Sequence, residues 1–186
     1  MITREEWGAL PPIKEPESFE ITPLPYLIMS ESSTPNCFSK DECYKSLCRI
    51  QCINIKLGAL DIPHHFYIGG DGLIYEGRGW EVHGNIAFSY DDKSLGISLI
   101  GSFDSSTPTD TQINATIFLI EYAKTHNKLR DDFKLRGLRQ INNMSRIPRD
   151  NFYNIIKTWD HWECEESIKG DCSSAETDVG TSINLL

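Results

Sequence analysis

The chain reads as one α/β domain, a central mixed β-sheet flanked by about three helices. Three observations predict this. Short apolar runs at 26–29, 95–100 and 133–138 have the length and content of buried strands. Two long segments with apolar residues at helical spacing separate them. Two apolar and aromatic runs flank the knot Gly69-Gly70-Asp71-Gly72, the pattern of a tight hairpin. Interleaved strands and helices build a sheet covered by helices, and 186 residues suffice for one proper core.

Taken in order, residues 1–25 hold five of the nine prolines and read as an extended segment wrapped on the body, with Trp7 as its anchor. A buried strand follows at 26–29 and a polar loop at 30–38. Ser39-Lys40-Asp41-Glu42 is a capping box, with Ser at the N-cap and Glu three residues on. It opens a helix to about Leu57, whose apolar stripe is Leu47, Ile50, Ile53 (or Asn54) and Leu57, and Gly58 ends it. His64 and His65 begin the first hairpin strand and point to opposite faces. The knot's glycines supply positive φ, and Gly77 and Gly79 let the chain bend or approach a neighbour closely. A loop spans 81–93, then comes the strand at 95–100. Pro108-Thr109-Asp110 starts a second helix with Ile113, Ile117, Ile120 and Ala123 or Lys124 on its stripe. A strand at 133–138 and a helix at 150–159 complete a domain spanning 1–162. The remainder, 163–186, is acidic, Ser/Thr-rich and expected to be a mobile tail.

The net charge of −9 is uneven, since seven acidic residues and one Lys lie from Asp160 onward. The body is therefore only mildly acidic and has no basic patch, which excludes a nucleic-acid partner that needs many phosphate-neutralising cations. No apolar run is long enough to span a bilayer. The start, Met1-Ile2-Thr3-Arg4, lacks the apolar core of a signal peptide. Six cysteines and two sequons, at Asn114 and Asn143, nevertheless point to an extracellular setting. The expectation is a secreted protein or an excised ectodomain, with any membrane contact made through a segment outside this chain.

Cys37 and Cys43 bracket the start of the first helix. Cys48 and Cys52 lie one turn apart on one helix face, and Cys164 and Cys172 lie in the tail. Those four can pair within each couple or across couples. A zinc site on Cys48 and Cys52 needs two more ligands, and none stands at suitable spacing. His83, His126 and His161 are scattered and read as ordinary histidines. A serine hydrolase lacks its G-x-S-x-G elbow.

Three blocks carry a specific resemblance. Phe66 to Trp80 reads F-Y-I-G-G-D-G-L-I-Y-E-G-R-G-W. Ser94 to Phe103 reads S-L-G-I-S-L-I-G-S-F. Arg139-Gln140 is followed by Trp159-Asp160-His161-Trp162. Together they resemble the peptidoglycan recognition proteins, relatives of zinc-dependent muramoyl-alanine amidases, over roughly residues 2–162. The resemblance implies the amidase-like fold and a Cys37–Cys43 disulfide, whose short loop is worth about 2 kcal/mol on a loop-entropy basis.

It also implies a site, which this sequence does not keep. The family holds zinc with two His and one Cys, leaving a position for a water whose pKa the metal lowers to about 7. The first ligand, from an H-H-T run, falls in Ser30-Glu31-Ser32. The second, from G-H-R-Q, falls on Leu138. The third, from C-P-G, falls on Ile147 once a loop one residue longer is allowed for. The catalytic Tyr position is His64. Leu and Ile have no lone pair for zinc, Ser is a poor ligand, and Glu31 alone cannot replace three ligands. The expectation is no metal, no cofactor and no amidase activity.

The groove positions are altered as well: Gly58-Ala59 for a Gly-Trp pair, Asn54 and Ile86 for His, and Pro63 for Gly, with Glu31 beside the lost ligand. Lys93 remains as a cation for a stem carboxylate. Lost aromatic and His anchors mean a weakened or blocked groove. This pattern resembles the family's non-catalytic insect receptor ectodomains. The function it implies is innate-immune sensing of peptidoglycan fragments, by pairing with another family member that holds the muropeptide. A direct binder with a remodelled groove, a decoy that dampens signalling and an amidase with unforeseen ligands are the alternatives.

Overall fold

A computed structural model describes residues 1–164. The elements run β1 (Leu24–Glu31), α1 (Lys40–Lys56), β2 (Phe66–Ile68), β3 (Ile74–Glu76), β4 (Ser94–Leu99), α2 (Asp110–Thr125), β5 (Leu129–Gly137), α3 (Leu138–Ile141) and α4 (Asp150–Ile156). The five strands form one mixed sheet in the order β3-β2-β4-β1-β5. Only the β2–β3 hairpin is antiparallel. Among the described residues no helix is long and apolar enough to cross a membrane.

In-register neighbours share a face of the sheet. Leu27, Met29, Leu95, Ile97, Leu99, Phe66, Ile68 and Leu135 fall on one face. There they meet Leu119, Ile120 and Ala123 of α2 and Phe152 and Ile156 of α4 in the larger core. Tyr67 and Tyr75 point the other way, into a second core with Leu47 and Ile50 of α1, Ile62 and the N-terminal Ile2 and Trp7. The central strand β4 is buried on both faces, as a parallel strand with two covers must be.

The N-terminal segment wraps as expected. Trp7 is buried and its indole N–H donates to the Glu76 carbonyl at 2.7 Å, while Ile2 pairs with Tyr75. Ser39 caps α1 by accepting from the Glu42 amide, and the Glu42 carboxylate accepts from Phe38, one residue before the cap. In α2 the reciprocal box joins Thr109 and Gln112. The Gln112 amide also donates to the carbonyls of Ile68 and Ile100, tying α2 to the ends of β2 and β4.

Several expectations are corrected. The α1 stripe is Cys43, Leu47, Ile50 and Gln51, whereas Ile53 and Leu57 are exposed because α1 turns them past the core edge. Ile117 of α2 is exposed too, lining an open cavity of about 310 Å³ between α2, β5 and residues 158–161. His64 and His65 precede β2 rather than start it, and both are buried. Strand β5 begins at Leu129 and hands Leu138 to the short helix α3, and α4 stops at Ile156.

The glycines of the hairpin answer to two different needs. Gly72 has φ +77°, the turn conformation expected of the knot. Gly69 and Gly70 have no positive φ; side chains there would meet Cys43 Sγ at 2.7 Å and the Cys37 carbonyl at 2.5 Å. The Cys37–Cys43 disulfide is present and buried beneath the turn. Cys48 and Cys52 carry free thiols, and Cys172 lies outside the described residues.

The folded body runs past residue 162. The Glu163 amide donates to the Leu135 carbonyl and the Leu135 amide donates to the His161 carbonyl, so residues 161–163 line the free edge of β5. Residues 165–186 of the expected tail lie outside the described residues.

Candidate functional site

The helix-α1 face of the sheet carries Ser30, one of the positions singled out from sequence. Tyr26, Ile28 and Ser30 of β1, Ser94, Gly96 and Ser98 of β4, and Lys134 and Arg136 of β5 lie in register on that face. In this fold they form a floor, and the altered positions gather around it.

Near one corner of the floor stand Ser30, Leu138 and Ile147, the positions where the resemblance puts the zinc ligands. Ser30 is the penultimate residue of β1, and Leu138 follows Gly137, which pairs with Met29. A side chain on Gly137 would meet Pro148 at 3.3 Å, which brings the Ile147–Pro148 turn beside them. The chemistry there does not suit a metal. The Ser30 hydroxyl is buried and donates to the Glu31 carbonyl, and Leu138 is aliphatic and buried. Among the described residues no group of three His, Cys, Asp or Glu is placed to hold a metal.

Glu31, the next residue of β1, lies on the opposite face of the sheet, where it enters an ion network. Glu31 is 1% exposed and accepts a hydrogen bond from the Arg149 amide at 3.1 Å, with the Arg149 guanidinium 3.8 Å from its other oxygen. Arg149 continues to Asp104 at 3.1 Å. Burial pushes the Glu31 carboxyl above its ordinary value, and the amides of Arg149 and Phe103 oppose that shift. Arg149 and Asp104 leave no sign in the sequence, because their partners lie 118 and 45 residues away.

At the catalytic Tyr position, His64 is buried, with Nδ1 at 3.3 Å from the Tyr67 hydroxyl. Burial is the main cause that lowers its pKa to about 3, with His65 and Arg78 adding to it. A group so hard to protonate is no proton donor near neutral pH. His65 is structural. Its Nδ1 accepts from the Gly96 amide at 2.8 Å, so Nε2 carries the proton and donates to the Val82 carbonyl. Burial lowers its pKa to about 4.

The floor itself is covered by the chain's own loop. Pro63 accepts from the Asn85 amide, which clamps the altered stretch 63–64 to residues 84–86. Ile86 then lies directly on Gly96, so close that a β-carbon there would sit 1.9 Å from Ile86 Cδ1. Asp91 Oδ1 accepts from the amides of Ile86 and Ala87, closing the next turn. Tyr90 reaches on to Tyr26 of β1, ring on edge at 5.1 Å, and its hydroxyl accepts from Arg136 of β5 at 2.6 Å. The loop thus runs from β4 across β1 to β5. Lys93 is folded in as well, with its ammonium 5.2 Å from the Tyr90 ring centre.

The remaining positions lie apart from this cover. Asn54 spends its side chain on the Ile50 carbonyl within α1, and Gly58 takes φ +92° just past the helix end, next to Ala59. Asn143 sits exposed in a loop. Asn114 is exposed on α2, but the hydroxyl of its sequon partner Thr116 is buried and bonded to the Gln112 carbonyl. Tyr90, Arg136 and Glu163 went unnoticed in the sequence. The alternation of Lys134 and Arg136 along a strand was the available signal, since such residues share a face.

Comparison with known proteins agrees with this fold. A family profile described as N-acetylmuramoyl-L-alanine amidase matches residues 22–154. Peptidoglycan-recognition protein SC2 of Drosophila melanogaster is 34% identical over 164 residues, 88% of each chain. Peptidoglycan-recognition protein LB of the same organism is 36% identical, covering 94% of this chain and 75% of its own. Among solved structures, a chain of the ectodomain complex of peptidoglycan recognition proteins LCa and LCx, bound to tracheal cytotoxin, superposes with a TM-score of 0.85 at 31% identity, over 89% of this chain and 100% of that one.

Proposed function

Because this chain belongs to the peptidoglycan recognition protein family, we propose that it is a non-catalytic immune receptor domain that senses peptidoglycan fragments by pairing with a ligand-holding relative. The observation that carries this reading is the loop across the floor. Ile86 on Gly96 and Tyr90 on Arg136 lie across the floor, which supports a groove obstructed by the chain itself. The loss of metal-binding side chains at Ser30, Leu138 and Ile147, with Glu31 committed to Arg149, supports the absence of zinc and of amidase chemistry. That the LCa and LCx ectodomains form a complex with tracheal cytotoxin supports the pairing. An extracellular setting, with glycan on the exposed Asn143, belongs to the same proposal.

Calorimetry with a muropeptide tests it. The isolated chain is expected to give no heat, a zinc-free but ligand-competent relative to bind alone, and a mixture to bind more tightly than the relative by itself. Binding by the isolated chain would favour a remodelled direct binder. Pairing without ligand would make the protein a decoy. Stoichiometric zinc with release of the stem peptide would overturn the non-catalytic reading.

A further inference from the structure

We propose that Lys134 and Arg136 form a carboxylate-binding site, oriented by Tyr26 and Tyr90, which the chain fills in cis with Glu163. The two cations stand at alternate positions of β5 and so project from one face. Both converge on a single carboxylate. Lys134 Nζ donates to Glu163 Oε1 at 2.6 Å, and Arg136 Nε and Nη2 both face Oε2. This is a planar fork offered to a planar anion.

The fork is set in advance. The guanidinium carbon of Arg136 lies 5.6 Å from the ring centres of both Tyr26 and Tyr90, and Nη1 is tied to the Tyr90 hydroxyl. An arginine held this way loses little freedom when it takes an anion. The occupant is held less firmly. Glu163 stands outside any helix or strand, on a strip joined to β5 by the two backbone bonds at Leu135 and by Gln140 on its carbonyl. The side chains of Arg136 and Glu163 are 25% and 23% exposed, and that of Lys134 is 54% exposed. Ion pairs this open to water are weak in net terms, so an incoming carboxylate can exchange for the internal one without burying new charge.

The ligand class is a peptide carboxylate, and given the proposed meeting with a muropeptide it is a free carboxylate of the stem peptide. The site lies where the loop meets the edge strand, at the margin of the covered floor. It is therefore reachable by a ligand presented from a partner.

The test is a titration of the wild-type chain, Glu163→Gln and Glu163→Gln/Arg136→Gln with a diaminopimelate-containing muramyl tripeptide, and with the same tripeptide amidated at its carboxylates. Glu163→Gln keeps the backbone bonds to Leu135, and near-UV circular dichroism reports that the fold is intact. The expected result is at least a tenfold gain in affinity for the free acid in Glu163→Gln, none for the amide, and loss of the gain in the double variant. Equal affinity of Glu163→Gln and wild type for the acid, or an equal gain for the amide, overturns the site. Pairing is read separately: if the wild type joins a relative's muropeptide complex while Glu163→Gln gains nothing, the pairing stands and the site falls. The opposite pattern retains the site and removes the pairing.

Discussion

The hydroxyl of Tyr90 accepts a hydrogen bond from the guanidinium of Arg136 at 2.6 Å, across 46 residues of sequence and the width of two strands. That bond fastens the far end of the loop that lies over the sheet. A hydrogen bond to a charged donor contributes about 1.5–3 kcal/mol. Arg136→Met is expected to raise amide exchange at Asn85 and Tyr90 by roughly tenfold, the lower end of that range, while β4 stays protected. Unchanged exchange in the loop would show that Ile86 on Gly96 holds it unaided.

The buried histidine pair sets a pH dependence. Unfolded imidazoles take up protons near their ordinary value, whereas burial lowers folded His64 to about 3 and His65 to about 4. Between those limits the unfolded chain binds more protons, so stability falls as pH drops below about 6.5. The loss is up to about 1.4 kcal/mol per pH unit for each histidine. Urea midpoints at pH 7.5, 6 and 5 measure it, and His64→Gln is expected to flatten the slope. An identical slope in that variant would place the acid sensitivity elsewhere.

Gly70 is needed for space rather than for backbone conformation. Gly70→Ala forces a β-carbon toward the Cys37 carbonyl, 2.5 Å away, and is expected to cost about 1–3 kcal/mol. Cys37→Ser/Cys43→Ser is expected to cost about 2 kcal/mol through the lost loop constraint. Because the two perturbations share one contact, their combination is expected to cost less than their sum. Denaturation of the three variants checks this.

On the face opposite Ser30, Arg149→Ala leaves Glu31 buried without its cation. The expected loss is about 1–3 kcal/mol, moderated by the partial exposure of the arginine. Without the cation the Glu31 carboxyl is also expected to titrate still higher, which a carbon-detected NMR titration can follow. Pairing Arg149→Ala with Glu31→Gln is expected to restore part of the stability, since no uncompensated charge then remains.

The amino-acid sequence by itself determined the sheet, the two long helices with their caps, the hairpin and the altered ligand positions. The elements rest on local periodicity and capping chemistry, read within a few residues, whereas the altered ligand positions rest on the resemblance to a family. Tertiary structure alone decided the rest. Ile53 and Leu57 follow the helical stripe yet are exposed, because where a core ends depends on which element packs opposite. Residues 84–93 have no helical or strand periodicity, and although Ile86 and Lys93 stand out there, the stretch's place over the floor arises from contacts with Gly96, Tyr26 and Arg136 on three different strands. Glu163 reads as the start of an acidic tail until β5 places two cations beneath it. Contacts between residues far apart in sequence leave no local trace, and in this protein those contacts close the floor.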